Sequence, residues 1–338
     1  AATIVAVDVP SGVDAGTGRV DGLAVTADIT VTFGAWKIGL LVDPGAAHAG
    51  EVRFVDIGLA AELGPPQLAV FDDADVALAL PQPGPESDKY RRGVVGVVAG
   101  SDRYVGAAVL AVGGALQAAA GMVRFCSAAP AVQAVLARWP EVVASTGEVA
   151  DVGRVQAWVV GPGMGADEAA AARLRSVLQT DLPVLVDADG LTLLAEEGAH
   201  SLLGRRGPTV LTPHAGEAGR LLGRPAAQVA AARLEHAREL ADRTGATVLL
   251  KGETTVVAAP DGPLRVNTSA TPWLGTAGSG DVLSGLIGSL LAGGLPALDA
   301  AAIGAHLHGR AATLASGGGP ITAFDVITAL PSAWRSVR

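Results

Sequence analysis

The segment Gly275-Thr-Ala-Gly-Ser-Gly-Asp281 runs directly into an apolar stretch, residues 282–292, that reads as a buried helix. A glycine-rich turn at the start of a helix aims unpaired backbone N–H groups and the positive end of the helix dipole at an anion, and phosphate is the natural ligand. A carboxylate there would repel a phosphate in the ground state. Asp281 therefore makes sense as a general base that takes a proton from an attacking hydroxyl, while the backbone at Gly278 and Gly280 stabilises the group in transfer. The competing reading is an aspartate that merely caps a core helix.

Four further junctions carry groups of the right kind. Lys251-Gly-Glu-Thr-Thr255 puts a cation and hydroxyls beyond an apolar run, where Lys251, Gly252, Glu253, Thr254 and Thr255 could meet a nucleotide; a solvated turn lysine would look the same. Leu211-Thr-Pro-His-Ala-Gly-Glu217 presents His214 and Glu217 on a turn held by Pro213, although a lone histidine is more often structural. Val186-Asp-Ala-Asp-Gly190 adds two acids, and Gly161-Pro-Gly-Met-Gly165 permits close backbone approach to a ligand. Gly100-Ser-Asp-Arg-Tyr-Val-Gly-Ala-Ala108 has neither the G-x-G-x-x-G spacing of a dinucleotide loop nor the G-K-[ST] ending of a P-loop. Together these junctions point to phosphoryl transfer or a nucleotide site.

Such groups have to be placed by a common scaffold. Apolar runs at 94–99, 157–160, 184–186, 209–211 and 248–250 alternate with Ala-, Leu- and Arg-rich stretches such as 169–178 and 226–244. That order predicts an α/β fold whose mostly parallel sheet is covered by helices on both faces, with the chemistry at the carboxyl ends of the strands. Ahead of it, Thr3-Ile-Val-Ala-Val7 reads as a buried strand, and two more runs, 29–33 and 52–57, complete a small α/β piece. The expected division is a remnant domain at 1–60, a linker at 61–85 containing Pro81-Gln-Pro-Gly-Pro85, and a main domain at 86–338.

Composition narrows the function classes. A net charge of −9 without a basic cluster argues against a nucleic-acid partner. No run approaches the roughly 18 apolar residues of a membrane span, and no basic-then-apolar leader opens the chain, so a cytoplasmic protein is expected. Cys126 is the single cysteine, which fits a reducing compartment and reads as a small buried hydrophobe.

Taken in order, Lys89-Tyr-Arg-Arg-Gly93, Ala99-Gly-Ser101, Tyr104-Val-Gly-Ala-Ala108, Gly161–Gly165, Val186–Gly190, Thr212–Glu217, Lys251-Gly252 and Gly278-Ser-Gly-Asp281 closely resemble the carboxy-terminal domain of YjeF-type proteins, the ADP- or ATP-dependent NAD(P)H-hydrate dehydratases, relatives of ribokinase. The resemblance covers roughly residues 80–335. It implies a lyase that phosphorylates the hydroxyl of the S-hydrate of NADH or NADPH and then eliminates phosphate. It assigns hydrate binding to Ala107, Gly163, His214 and Asp281, nucleotide binding to residues 251–255, Gly278 and Gly280, and base duty to Asp281. Magnesium is expected at the nucleotide phosphates, with no residue nominated as its ligand. A homo-oligomer is also expected.

The amino-terminal stretch resembles the end of an NAD(P)H-hydrate epimerase domain, through Val7-Asp-Val-Pro-Ser-Gly12, Asp14–Gly18, Thr30–Gly34 and Lys37-Ile-Gly-Leu40. There the resemblance would give Asp8 a hydrate contact and Ser11 a potassium ion. The first half of that domain is not in the sequence, so the remnant's site is expected to be incomplete. Two other functions fit the residues less closely: a small-molecule kinase of the hydroxymethylpyrimidine or thiazole type, and a non-catalytic nucleotide-binding protein.

Overall fold

Short runs of branched apolar residues form strands because such side chains suit a pleated surface, and runs without polar alternation suit one buried on both faces. The computed structural model describes residues 2–260 and 262–338, and among them such runs build two sheets. A small parallel sheet holds β1 (Val5–Val7), β2 (Ile29–Phe33) and β3 (Glu51–Val55), in that order. The remaining strands are β4 (Leu68–Ala69), β5 (Val94–Val98), β6 (Met122–Cys126), β7 (Val143–Ser145), β8 (Ala157–Val160), β9 (Val184–Val186), β10 (Thr209–Leu211), β11 (Thr247–Leu250), β12 (Thr255–Ala258) and β13 (Leu264–Asn267). They join one sheet in the order β4-β13-β12-β11-β10-β9-β8-β5-β6-β7.

The sheet is parallel from β7 through to β11, while β12 and β13 form an antiparallel edge with β4 laid parallel against β13. All five expected runs of the main domain are strands. β5 gives alternate residues to two cores: Val95 and Val97 pack with the helices Val105–Leu116, Ser279–Ala292 and Ala297–Ser316, whereas Val94 and Val98 pack with the opposite layer. β5 lies between β6 and β8, so the chain winds away from it in both directions. The loops leaving β5 and β8 therefore open a crevice at the carboxyl edge, the usual ligand position in such sheets.

Two helices meet at that crevice with almost no space between them. A Cβ on Gly285 would stand 1.9 Å from the Ala111 carbonyl oxygen, and one on Gly114 would stand 2.2 Å from that of Val282. Glycine at these two points lets the helix Ser279–Ala292 lie directly on the helix Val105–Leu116, which fixes the glycine-rich loop relative to the segment carrying Ala107.

Three expectations are corrected. The run 3–7 is not buried: Val5 and Val7 are 53% and 72% exposed while Ala6 is 8%, because only one face of β1 meets the rest of the chain. The stretch expected as linker is partly built into the main sheet. Within it β4 pairs with β13, and the helix Asp73–Ala79 buries Val76 and is started by a reciprocal capping box between Asp72 and Asp75. The His306 ring also reaches Asp73 at 2.8 Å. The proline cluster at 81–85 obscures these shorter signals. Finally, the stretch 226–244 is two helices, Ala226–Ala231 and Arg233–Thr244, broken at Ala232, whose φ is −141°.

Candidate active site

The helix Ser279–Ala292 begins two residues earlier than Asp281, with Gly278 as its cap residue at φ 84° and no side-chain cap. Asp281 is thus inside the first turn and is not the residue that caps the helix. The amides of Ser279 and Val282 find the carbonyls of Thr276 and Gly278, at 3.3 Å each. The first turn of a helix otherwise offers its N–H groups to whatever lies beyond its end, here at the crevice.

Beside this turn is a buried charge cluster drawn from three strand ends. The Lys251 ammonium, at the end of β11, lies 2.8 Å from Asp187 Oδ1 and 3.9 Å from Glu217 Oε2. The Asp187 side chain is 2% exposed and also accepts the Ser284 hydroxyl at 2.6 Å, while that hydroxyl lies 3.0 Å from the Gly280 carbonyl oxygen. A Cβ on Gly280 would stand 3.4 Å from Lys251 Nζ and 3.9 Å from Asp187 Oδ2, so the loop, the cation and the acid share one small volume. Burial works against the Lys251 charge, but Asp187 and Glu217 outweigh it and hold the ammonium's pKa above its ordinary value. For Asp281 the balance goes the other way. Burial, reinforced by the negative charge of Asp187, pushes its carboxyl up to about 7 against the pull of Lys251. A carboxyl poised there can both accept and release a proton near neutrality.

The residues expected at the hydrate gather on the neighbouring strand ends. Gly163, at φ 60°, turns the loop after β8 so tightly against the loop after β5 that a Cβ would meet those of Ala107 and Tyr104 at 2.6 and 2.9 Å. Only glycine fits. The Gly165 amide donates to Asp189 at 2.8 Å, tying this loop to the acid pair after β9. His214 stands where β10 gives way to the helix Ala215–Leu222; its Nδ1 accepts from the Gly216 amide at 2.9 Å, and the His214 amide in turn donates to the Glu217 carboxylate at 2.8 Å. Nδ1 is therefore the acceptor, and the other ring nitrogen lies 3.6 Å from Glu217 Oε1 on a side chain that is 59% exposed. A parallel bridge between His214 and Lys251 places the two junctions side by side.

The stretch 251–255 does not converge as a unit. Lys251 points into the charge cluster, Gly252 is pressed against the Arg233 guanidinium, Glu253 is exposed, Thr254 is buried, and Thr255 already belongs to β12. Gly278 packs against Leu110. In the small sheet, Asp8 adopts φ 70° and accepts from Lys37 at 2.5 Å and Thr32 at 3.1 Å, contacts that hold its carboxyl below the ordinary aspartate value. Ser11 is exposed. With Asp8 already neutralised by Lys37, these two residues alone make no ligand set for potassium.

Several contributors escaped the sequence reading. Ser284 lies one helical turn beyond Gly280, and Arg233 is 6% exposed in the middle of what reads as a polar helix. His308 is 5% exposed, and burial pushes its pKa down to about 4, so it is neutral near pH 7. Spacing marks Ser284, an i+4 partner of Gly280; nothing local marks the other two.

Among the described residues no group of three or more His, Cys, Asp or Glu side chains could hold a metal. Asp187 is committed to Lys251 and Ser284, so a magnesium ion here would depend on phosphate oxygens and water for most of its ligands. No described helix is long and apolar enough to cross a membrane.

Comparison with known proteins places the chain in a family and a fold. The family model for NAD(P)H-hydrate dehydratase matches residues 95–325, and that for the YjeF-related protein N-terminus matches residues 1–39. The chain is 55% identical over 299 residues to the bifunctional NAD(P)H-hydrate repair enzyme Nnr of Mycobacterium tuberculosis, an alignment covering 88% of this chain and 60% of that protein. Among solved structures, the ADP/ATP-dependent NAD(P)H-hydrate dehydratase of Bacillus subtilis, co-crystallised with ATP and Mg2+, matches with a TM-score of 0.73 at 28% identity, covering 79% of this chain and 98% of that one. A ribokinase-like superfamily protein of Enterococcus faecalis shares the fold at a TM-score of 0.72 and 24% identity, covering 81% of this chain and 98% of its own. The sheet and its helical layers are thus those of the ribokinase-like fold, and the chain belongs to the NAD(P)H-hydrate dehydratase family.

Proposed function

We propose that this chain dehydrates the S-hydrate of NADH or NADPH at the expense of ADP or ATP, and that Asp281 is its base. The observation that carries the reading is the position of Asp281, inside the first turn of the glycine-started helix and beside the Lys251–Asp187 pair. The hydrate hydroxyl attacks the terminal phosphorus of the nucleotide as its proton passes to the Asp281 carboxylate. The bond from that phosphorus to the bridging oxygen breaks, releasing AMP from ADP or ADP from ATP. The ring then loses a proton from the neighbouring carbon and inorganic phosphate from the hydroxyl-bearing one, which restores the double bond of the reduced nicotinamide. Lys251 and the first-turn amides oppose the charge on the phosphoryl group in transfer, and magnesium bound to the phosphates would neutralise more of it. The B. subtilis relative crystallised with ATP and Mg2+ supports a nucleotide in this role. Incubation with S-NADHX, Mg2+ and either ADP or ATP should restore absorbance at the reduced-nicotinamide band. Absence of recovery with both nucleotides would sink the proposal.

We assign Ala107, Gly163 and His214 to the hydrate side, and Lys251, Gly278 and Gly280 to the nucleotide side. His214→Ala should weaken hydrate binding by about tenfold while leaving nucleotide binding close to normal, the scale of one lost hydrogen bond to an exposed partner. Separate titrations of the two ligands check this; equal losses would mean that the ring serves only to cap its helix.

The epimerase-like remnant should be inactive in this chain, since Lys37 already holds Asp8 and Ser11 is exposed. Pure R-NADHX should then be consumed no faster than it epimerises spontaneously. Acceleration that disappears on Asp8→Ala would refute this.

A further inference from the structure

The segment before the main domain touches the loop that follows β11. Asp43 Oδ2 accepts from both the amide and the hydroxyl of Thr254, each at 2.9 Å, and the Asp43 amide donates back to the Thr254 hydroxyl at 3.0 Å. This closed set of three bonds joins residues 211 positions apart. Next to it, Val42 is fully buried in the core beneath the main sheet. Thr254 is 6% exposed, so its side chain is committed to Asp43 and is not available to a ligand in the crevice.

The other end of the same loop is held from beneath. The Arg233 guanidinium donates to the carbonyls of Leu250 and Lys251, at 3.1 and 2.9 Å, and lies 2.2 Å from where a Gly252 Cβ would be. Arg233 is itself buried, and its pKa is lowered by that burial and raised again by Asp43. Two residues therefore separate Lys251, whose ammonium enters the charge cluster, from Thr254, which is fastened to the preceding segment. A shift of the loop at Thr254 has little slack to absorb before it reaches Lys251, because Gly252 cannot move toward Arg233.

We propose that Asp43 is a positioning residue for the nucleotide site: by fastening Thr254 it fixes the loop that aims Lys251, so the epimerase-like segment controls nucleotide affinity in the neighbouring domain. The inference rests on the nucleotide reading given above. Its chemistry is specific. The requirement at position 43 is an acceptor that can take two hydrogen bonds at one oxygen, and a negative charge is secondary. The effect should fall on the nucleotide more than on the hydrate, because Ala107, in the helix after β5, and Gly163, on the loop after β8, stand on other strand ends, although His214 and Asp281 adjoin Lys251.

The test uses the full chain, with Mg·ADP and Mg·ATP titrated calorimetrically and S-NADHX turnover measured alongside. Asp43→Ala should raise the nucleotide Kd by about tenfold, the scale expected for losing hydrogen bonds to a charged acceptor, with a smaller change in the hydrate KM. Asp43→Asn, whose amide oxygen can accept the same two bonds, should bind within about threefold of the wild type. Thr254→Val, which keeps the volume and loses the hydroxyl, serves if Asp43→Ala fails to fold. It should reproduce the loss, and the double variant should be no worse than the worse single one. The proposal is overturned if these variants bind nucleotide as the wild type does, or if nucleotide and hydrate constants worsen equally. A wild-type chain that binds neither nucleotide would instead remove the functional reading, and this inference with it.

Discussion

Asp281→Asn should abolish turnover and at the same time make the protein more stable above neutral pH. Asparagine keeps the size of the side chain but cannot accept the hydroxyl proton, and removal of a general base costs about 10²–10⁴-fold in rate. In the wild type kcat/KM should fall as pH drops below about 7, the value to which burial and Asp187 push this carboxyl. The stability effect has the opposite character. A carboxyl whose pKa is raised in the folded state favours folding while it is protonated in both states, and that advantage is lost as pH rises from its ordinary value of 3.8 through about 7. Above that range the native protein carries a partly buried carboxylate beside Asp187, a cost of up to roughly 4 kcal/mol before solvent screening. The asparagine variant lacks it. Melting temperatures of the two proteins should therefore nearly coincide at pH 4 and separate in favour of the variant by pH 8. A constant difference across that range would mean that Asp281 is not perturbed in this way, and near-normal turnover would take it out of the mechanism.

The sequence carried the site better than it carried the small elements around it. β5, β8, β9, β10 and β11 are mostly apolar runs, and several of them are followed directly by a glycine, an acid or a lysine, so the strands and some of their functional ends could be read directly. β6 was missed because Arg124 interrupts Met122–Cys126; in the structure that guanidinium donates to the Val152 carbonyl at 2.7 Å, a satisfaction no local pattern shows. The linker reading failed for a similar reason, since the two residues of β4 have no periodicity of their own and exist as a strand only because β13 is there to pair with them.

Among site residues, the glycines were legible through their chemistry and the supporting groups were not. Gly163 and Gly278 mark turns that other residues disfavour, with φ of 60° and 84°. Asp187 and Asp189 stand two apart and look equivalent in sequence. Only the fold distinguishes them, sending the first to Lys251 and Ser284 and the second to the Gly165 amide. Asp43 and Arg233 gave no signal at all, because each acts on residues that the chain brings close only after the sheet has formed.

The pairing of Lys251 with Asp187 leads to the second large effect. Lys251→Met keeps most of the side-chain length and removes the charge, leaving an Asp187 carboxylate that is 2% exposed with the Ser284 hydroxyl as its remaining close partner. Breaking such a pair by deleting one member destabilises by about 3–5 kcal/mol, since the surviving charge stays buried. Asp187→Asn in the same background should recover part of it, because a neutral amide needs no counter-charge. The catalytic limb should move as well. Lys251 pulls the Asp281 carboxyl down while burial, Asp187 and Asp189 push it up, so its removal should carry the half-maximal pH of kcat/KM above 7. Denaturant unfolding at pH 8, combined with the pH profile of whatever turnover remains, measures both consequences on one variant. If stability is unchanged and the limb stays where it was, Lys251 is a solvated turn residue after all, and the phosphoryl group must find its positive charge elsewhere.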